Sequence, residues 1–409
     1  VRILIATLNR DLVGGVEKHL QSVIPALQRR GHSIGLLHRY PPKQNEEWID
    51  SGLDRLPTWC SVEMGRDSTL QSIKNWAPDI VYSQGLDDEA LERGLLDSYP
   101  VVLYAHTYWG TCVTGRKCHA LPRISPCGRQ FGATCLLLFY PRRCGGLNPQ
   151  TMWQLFQVQS ERKSKLTEYQ AILVASRHMF EEYQQHGVSE QRLHLVPLPI
   201  DQDLPGVAMP ARRTPGDRVL FAGRLIDVKG VDYLLRAIPP AAQKLGRPLR
   251  LTIAGDGPER GKLEDLARRL DLAVEFTGWV GDERRSELMR QADLLAVPSL
   301  WPEPFGMVGV EAGRCGVPAV GFTVGGIPDW LIPGQTGELA PGDPPTVAGL
   351  AEAMVRALGD PDRYQKLCAG AWQMASQFGL DRHIEQLERI LSTQASSAVD
   401  PIHRLASQP

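Results

Sequence analysis

Short apolar runs alternate along this chain with stretches whose apolar residues recur every three or four positions. Arg2–Leu8 is an apolar run that reads as a strand, and Asn9–Gly15 is a polar loop ending in glycine. From there Val16, Leu20, Val23 and Leu27 share one helical face, closed by Arg29-Arg30 and a Gly31 stop. Further strands are expected at Ile34–Leu37, Asp79–Ser83, Val101–Ala105, Ile172–Ala175 and Leu193–Val196. Pro197–Gly206 is proline-rich and lacks periodicity, which marks a domain boundary. Beyond it the alternation restarts. Strands at Val219–Ala222, Leu249–Ala254, Val274–Thr277 and Leu294–Val297 are separated by helical stretches Val231–Leu245, Glu259–Leu270 and Asp282–Gln291. Leu380–Leu391 carries one more amphipathic helix, and Ser392–Pro409 is a polar tail.

Strands separated by longer helices build right-handed βαβ units and parallel sheets. The fold class is therefore α/β, with two Rossmann-like, doubly wound domains facing across a cleft. Residues 1–200 form the first, with an insertion at about 107–148, and residues 201–375 the second. Residues 376–392 add the C-terminal helix and 393–409 a flexible tail. Neither block carries a GxGxxG after its first strand, which disfavours dinucleotide binding. At 409 residues, 43% hydrophobic and 22% charged, the chain has room for two full cores. No run approaches the ~18 apolar residues of a membrane span. Val1–Ala6 reads as core strand rather than leader, so a cytoplasmic setting is expected. A net charge of −1 gives no global attraction to nucleic acid or acidic lipid.

The most informative stretch is Trp301–Gly313, which follows the apolar run Asp293–Pro298 and so occupies a strand's carboxyl end and the next helix start. Ligands bind at such places in open α/β sheets, because backbone N–H groups and the helix dipole face the crevice. Glu303 and Glu311 flank a glycine-containing turn there. Carboxylates beside a phosphate-friendly helix start suit sugar hydroxyls, which makes a nucleotide-sugar site the expectation. Arg224 and Lys229 bracket the loop after Val219–Ala222, a guanidinium fork and a point charge suited to adjacent phosphates. The alternative is a pair of solvated loop cations.

Gly223-Arg224, Lys229-Gly230, Ala254–Pro258, Gly278-Trp279-Val280, Pro298-Ser299, Glu303 with Glu311-Ala312, and Val324–Asp329 follow one another in one domain. In this order and spacing they resemble the donor-binding domain of the retaining glycosyltransferases of family 4 (group 1), which have the GT-B fold. The resemblance runs from about Arg2 to Leu391 and is strongest over Val219–Asp343. It implies sugar transfer from a nucleotide diphosphate donor, UDP- or GDP-linked, in polysaccharide, lipopolysaccharide or glycolipid synthesis. Arg224 and Lys229 would hold the diphosphate and stabilise the leaving charge, and Glu311 would bind the ribose diol. Glu303 would contact donor-sugar hydroxyls, while Phe305, Gly306 and Met307 offer backbone N–H groups and Val280 lines the base pocket. Gly14-Gly15 matches the family's N-terminal glycine pair near the donor phosphate. His106, at the end of Val101–Ala105, would lie near the reacting centre on the acceptor-side domain. The C-terminal helix would cross back to that domain.

Fixed cations and N–H dipoles stabilise a leaving diphosphate without a metal, so no cofactor is expected for catalysis. Asp201-Gln202-Asp203 and Asp360-Pro361-Asp362 have the form of a metal signature, but neither follows a strand. A nucleotide-sugar 2-epimerase on the same fold and a non-catalytic sugar-nucleotide-binding scaffold are the rival readings.

The insertion departs from a plain family member. It holds Cys112, Cys118, Cys127, Cys135 and Cys144, five of the eight cysteines, without a CxxC pair. A structural zinc, disulfides and inert buried thiols all compete there. Arg116, Lys117, Arg123, Arg129, Arg142 and Arg143 accompany them almost without acid. They read either as a solvated face or, with Trp109 and Leu136–Tyr140, as a patch for an anionic acceptor or the inner face of a membrane. Lys163, Lys165 and Arg177 are candidates to extend it.

Overall fold

The computed structural model describes residues 1–12, 14–43, 49, 56–200 and 214–405, with side chains to residue 396. The boundary at Pro197–Gly206 lies outside the described residues from Asp201 on, as does the Asp201-Gln202-Asp203 triplet. In chain order the strands are β1 Arg2–Thr7, β2 Ser33–His38, β3 Thr58–Cys60, β4 Ile80–Ser83, β5 Val101–Ala105, β6 Cys118–His119, β7 Ser125–Pro126, β8 Ala171–Val174 and β9 Leu193–Leu195. There follow β10 Arg218–Ala222, β11 Arg250–Ala254, β12 Val274–Gly278, β13 Leu294–Val297, β14 Ala319–Phe322 and β15 Gly337–Ala340. They are divided between two compact units. One comprises Val1–Thr111, Val158–Asp201 and Leu380–Pro409, the other Cys112–Gln157 and Gln202–Gly379.

The first unit holds a parallel sheet in the order β3-β2-β1-β4-β5-β8-β9. Its central strands are buried along almost their whole length, as a parallel sheet covered on both faces requires. The helix Gly15–Arg29 sets Leu20, Val23, Ile24 and Leu27 into that core. The strand order reverses between β1 and β4, so the crevice expected of a doubly wound sheet opens at their carboxyl ends.

The C-terminal helix spans Leu380–Leu405 and adds Leu380, Ile384, Leu387 and Leu391 to the same core. Glu388 fastens it, pairing with Arg30 at 2.8 Å and His32 at 3.0 Å. The helix outruns the expected Leu380–Leu391. Thr393 and Ser396 donate their hydroxyls to the carbonyls of Arg389 and Ser392, at 2.8 and 2.9 Å. Polar residues that would otherwise compete with the backbone are thereby absorbed into the helix.

The second unit has its own parallel sheet in the order β12-β11-β10-β13-β14-β15, which reverses between β10 and β13. The cysteine-containing segment falls within this unit. Val113, Phe131 and Phe139 form a small core there, joined by Tyr140, Met152, Leu155 and Phe156. Asp360 of the second acidic triplet caps the helix Pro361–Ala375, accepting from the Arg363 N–H at 2.7 Å. That is a capping role.

Lys165 departs from the sequence reading of a surface cation. It is 1% exposed and its Nζ pairs with Glu89, with Glu92 at 3.2 Å and with Glu161 at 3.6 Å. Tyr169 donates its hydroxyl to the other oxygen of Glu92 at 2.6 Å. Removing one partner from a buried charge network leaves the other uncompensated, at a cost of about 3–5 kcal/mol. Lys165→Ala is therefore expected to lower the urea midpoint markedly. Adding Glu92→Gln should recover part of that loss; a double variant no better than the single would contradict this account.

Candidate functional site

In the second unit, β10 and β13 end where the strand order reverses, and the two loops that follow are stitched together. The Leu300 N–H donates to Val228 O at 2.8 Å. Gly230 has φ of 65°, and a Cβ there would stand 2.0 Å from the Pro298 carbonyl oxygen, so only glycine fits. This close approach places Lys229, on the short 3₁₀ turn Asp227–Lys229, against the loop after β13. Its Nζ donates to Glu303 Oε1 at 2.6 Å, and Ser299 Oγ donates to the same oxygen at 2.5 Å. Glu303 is buried, Lys229 half-buried and Arg224 exposed. Arg224 adds an exposed positive charge on the same loop as Lys229.

The loop carrying Glu303 is held from behind. Gly326 N–H donates to Glu303 O at 2.7 Å, and Trp330 Nε1–H donates to Phe305 O at 2.7 Å. The Phe305 ring is buried beside Phe378, 5.4 Å between centroids, so this residue contributes through its backbone. Gly306 precedes the helix Met307–Arg314; Gly309 N–H donates to Gly306 O at 3.1 Å, and the N–H groups of Met307 and Val308 open the first turn without intrahelical acceptors. Glu311 lies one turn into that helix, partly exposed, with Arg285 Nη2 at 3.6 Å. Gly309 backs against Trp330 so tightly that a Cβ would sit 2.1 Å from the indole ring. Val280 is half-buried after β12, and its neighbour Trp279 projects into solvent at 74% exposure.

The second unit thus brings Lys229, Glu303 and the turn before Met307 together, with Glu311 on the same helix. Sequence reasoning had Ser299 only as part of a motif, and missed Arg285, Trp330 and their contacts. An indole nitrogen reaching a carbonyl 25 residues away leaves no local signal.

In the first unit, Gly14 caps the helix Gly15–Arg29 in extended backbone. Glu17 already places a carboxylate in that first turn, its Oε2 3.1 Å from where a Gly14 Cβ would lie. Nothing stands within 4 Å of a Cβ at Gly15. His106 follows β5, stacks on Tyr104 at 4.6 Å and places its Nε2 2.8 Å from Gln84 Oε1. With Nε2–H donating to that oxygen, Nδ1 is the basic nitrogen. His19 lies 6.4 Å from the His106 ring and 4.9 Å from His383 of the C-terminal helix. Burial lowers His106 to about 3 and His383 to about 4. His19 falls well below the usual range through burial, reinforced by the charges of His383 and His106.

All five cysteines of the inserted segment are free thiols. Burial pushes Cys118 up to about 12 and Cys144 to about 11. Among the described residues no group of three or more His, Cys, Asp or Glu side chains is placed to hold a metal ion. The expected basic patch is also narrower than the sequence suggests. Lys117 is buried and donates to Arg129 O, and Arg116 pairs with Asp227 at 2.7 Å. Trp109 belongs to the first unit and lies beneath the Arg162 guanidinium at 4.0 Å.

Two family models match the chain. Glycosyltransferase Family 4 covers residues 13–204 and Glycosyl transferases group 1 covers residues 216–360. The glycogen synthase of Mycobacterium tuberculosis is 38% identical over 164 residues, 39% of this chain and 38% of that protein. D-inositol 3-phosphate glycosyltransferase 1 of Catenulispora acidiphila is 35% identical over 223 residues, 49% of this chain and 52% of that protein. The chain therefore spans about half the length of these curated relatives at most. Among solved structures, Anabaena HepE in complex with UDP superposes with a TM-score of 0.66 at 20% identity. That match covers 96% of this chain and 100% of HepE, and a further HepE structure holds UDP-glucose.

Two outcomes follow from this geometry. Folded-state values of the three histidines lie below the unfolded ~6.5, so the unfolded chain binds more protons between the two. The stability this confers is present above about pH 6.5 and lost as pH falls towards 4. Melting temperature should decline through that window, and less steeply in His19→Gln; equal slopes would contradict the assignment. Gly309→Ala should displace Trp330 and loosen the Phe305 carbonyl, lowering the melting temperature, since overpacking typically costs about 1–3 kcal/mol; an unchanged melting temperature would contradict this tight fit.

Proposed function

We propose that this chain, which belongs to the family 4, group 1 glycosyltransferases and has the GT-B fold, moves a sugar from a nucleotide diphosphate donor with retention and without a metal. The observation that carries the reading is the Lys229–Glu303–Ser299 cluster, on the loops that also carry Arg224 and lead into the helix at Met307. The donor diphosphate lies against Arg224, Lys229 and the first-turn amides, the ribose diol on Glu311, and the base beside Val280. Glu303 Oε1 is engaged by Lys229 and Ser299, which leaves Oε2 to accept from a hydroxyl of the donor sugar. A uridine base is favoured, since the neighbouring HepE structures hold UDP and UDP-glucose.

As the bond between the anomeric carbon and the diphosphate breaks, negative charge collects on the leaving oxygen. Fixed donors aimed at that oxygen lower the barrier, each worth roughly 2.7–4 kcal/mol in comparable sites. The acceptor hydroxyl attacks on the face the diphosphate leaves, and its proton passes to the departing phosphate oxygen. In the first unit His106 is a neutral imidazole able to bond a hydroxyl. The acceptor is a hydroxyl-bearing glycan or glycolipid.

Thermal shift against UDP, GDP, ADP and their sugar conjugates, with and without EDTA, tests the donor assignment. One nucleotide should raise the melting temperature in EDTA as well as without it, and Arg224→Ala and Glu311→Ala should abolish the rise. In turnover assays Arg224→Ala should lose about 10²–10³-fold in kcat. NMR of the product should show the donor's anomeric configuration. Donor conversion without acceptor would point to an epimerase, and no response to any nucleotide would overturn the reading.

A further inference from the structure

The segment Cys112–Gln157 contains six Lys or Arg residues and no Asp or Glu, in a chain whose net charge is −1. Two of the six are accounted for inside the unit, Lys117 by burial and Arg116 by Asp227. Arg123, Arg129, Arg142 and Arg143 remain exposed. The same segment carries four of the eleven large apolar side chains exposed among the described residues. Leu137 is 77% exposed, Leu147 65%, Trp153 50% and Leu121 41%. Isolated surface leucines need no explanation, but a concentration of them in one acid-free segment does.

These are not residues left over from a poorly formed core. On the short helix Thr134–Leu138 and the turn after it, Phe139 packs inward with Val113 and Phe131, while Leu137, two residues earlier, is exposed. Backbone bonds then draw the exposed residues together. Ala120 and Leu121 both donate their N–H groups to Arg142 O, at 2.9 and 3.1 Å, and the Arg142 N–H donates to Leu138 O at 2.9 Å. The backbone at Leu121 is thereby held against Arg142, and that of Arg142 against Leu138, beside the exposed Leu137 and Arg143.

We propose that this surface docks on an anionic lipid bilayer, its leucines and tryptophan entering the boundary between headgroups and acyl chains and its arginines meeting the phosphates. Apolar insertion and charge attraction are the two components of interfacial binding, and neither alone holds a protein stably. A nucleic acid would use the arginines but gives exposed leucines nothing to bury against. An acidic protein partner would be matched by the charge alone. The proposal is independent of the donor reading, because none of these side chains belongs to the donor site.

Flotation of the full chain with phosphatidylcholine vesicles, alone or doped with phosphatidylglycerol, tests it. The chain should float only with the anionic vesicles, and less as salt rises. Arg142→Glu/Arg143→Glu should weaken binding at least ~10-fold, each arginine near such a surface being worth roughly fivefold. Leu137→Asp/Leu147→Asp should do likewise. Unchanged melting temperature and nucleotide-induced shift in both variants would show that each still folds. Four outcomes would overturn the proposal: no flotation at low salt, equal flotation on neutral vesicles, variants that float like the parent, or loss in the arginine variant alone with retained binding to heparin.

Discussion

Everything at the candidate site hangs on a buried carboxylate shared by a lysine and a serine. Glu303 is 5% exposed, and its Oε1 receives Lys229 Nζ and Ser299 Oγ together. A carboxylate this deep is tolerated only because it is paired and hydrogen-bonded, and taking away its partner would strand a charge in low dielectric. The pair also bridges the loops that leave β10 and β13. It therefore fixes the spacing between a cation-bearing loop and the loop that leads into the helix Met307–Arg314. Trp330 and Gly326 secure the far side, so the loop is set by contacts on both flanks.

The architecture was legible because parallel strands covered on both faces must be continuously apolar, and runs such as Leu294–Val297 declare themselves. The pairing of two loops was legible in part: Lys229 and Glu303 fall in the stretches after β10 and β13, where the strand order reverses, and the structure joins them. What stayed hidden is non-local. Lys165 looks like surface charge until Glu89 and Glu92, more than 70 residues earlier, close around it. Lys117 likewise reads as part of a basic face but is buried against a carbonyl. The allegiance of Cys112–Gln157 to the second unit could not be read from its position in the chain, which lies between segments of the first. Nor does a polar run such as Ser392–Ser396 advertise a helix, because its own backbone-directed hydroxyls do the stabilising.

The first unit shows a different economy of charge. His19, His106 and His383 crowd together with Tyr82, Gln84 and the Pro197 carbonyl as hydrogen-bonding partners among the described residues, and burial keeps them neutral. Here one end of the cluster rests on β5 and the other on the C-terminal helix, and His19 between them is lowered in part by the charge of His383.

That helix has a consequence for how the chain is made. Leu380, Ile384, Leu387 and Leu391 are integral to a core whose other members begin at Ile3. During synthesis the first sheet can assemble its strands, but one side stays uncovered until the residues near 390 have left the ribosome. A nascent or truncated chain would expose that greasy face, offering chaperones and proteases a mark of incompleteness. The final helix acts as a latch on the first unit, closed only once the entire second sheet has been translated.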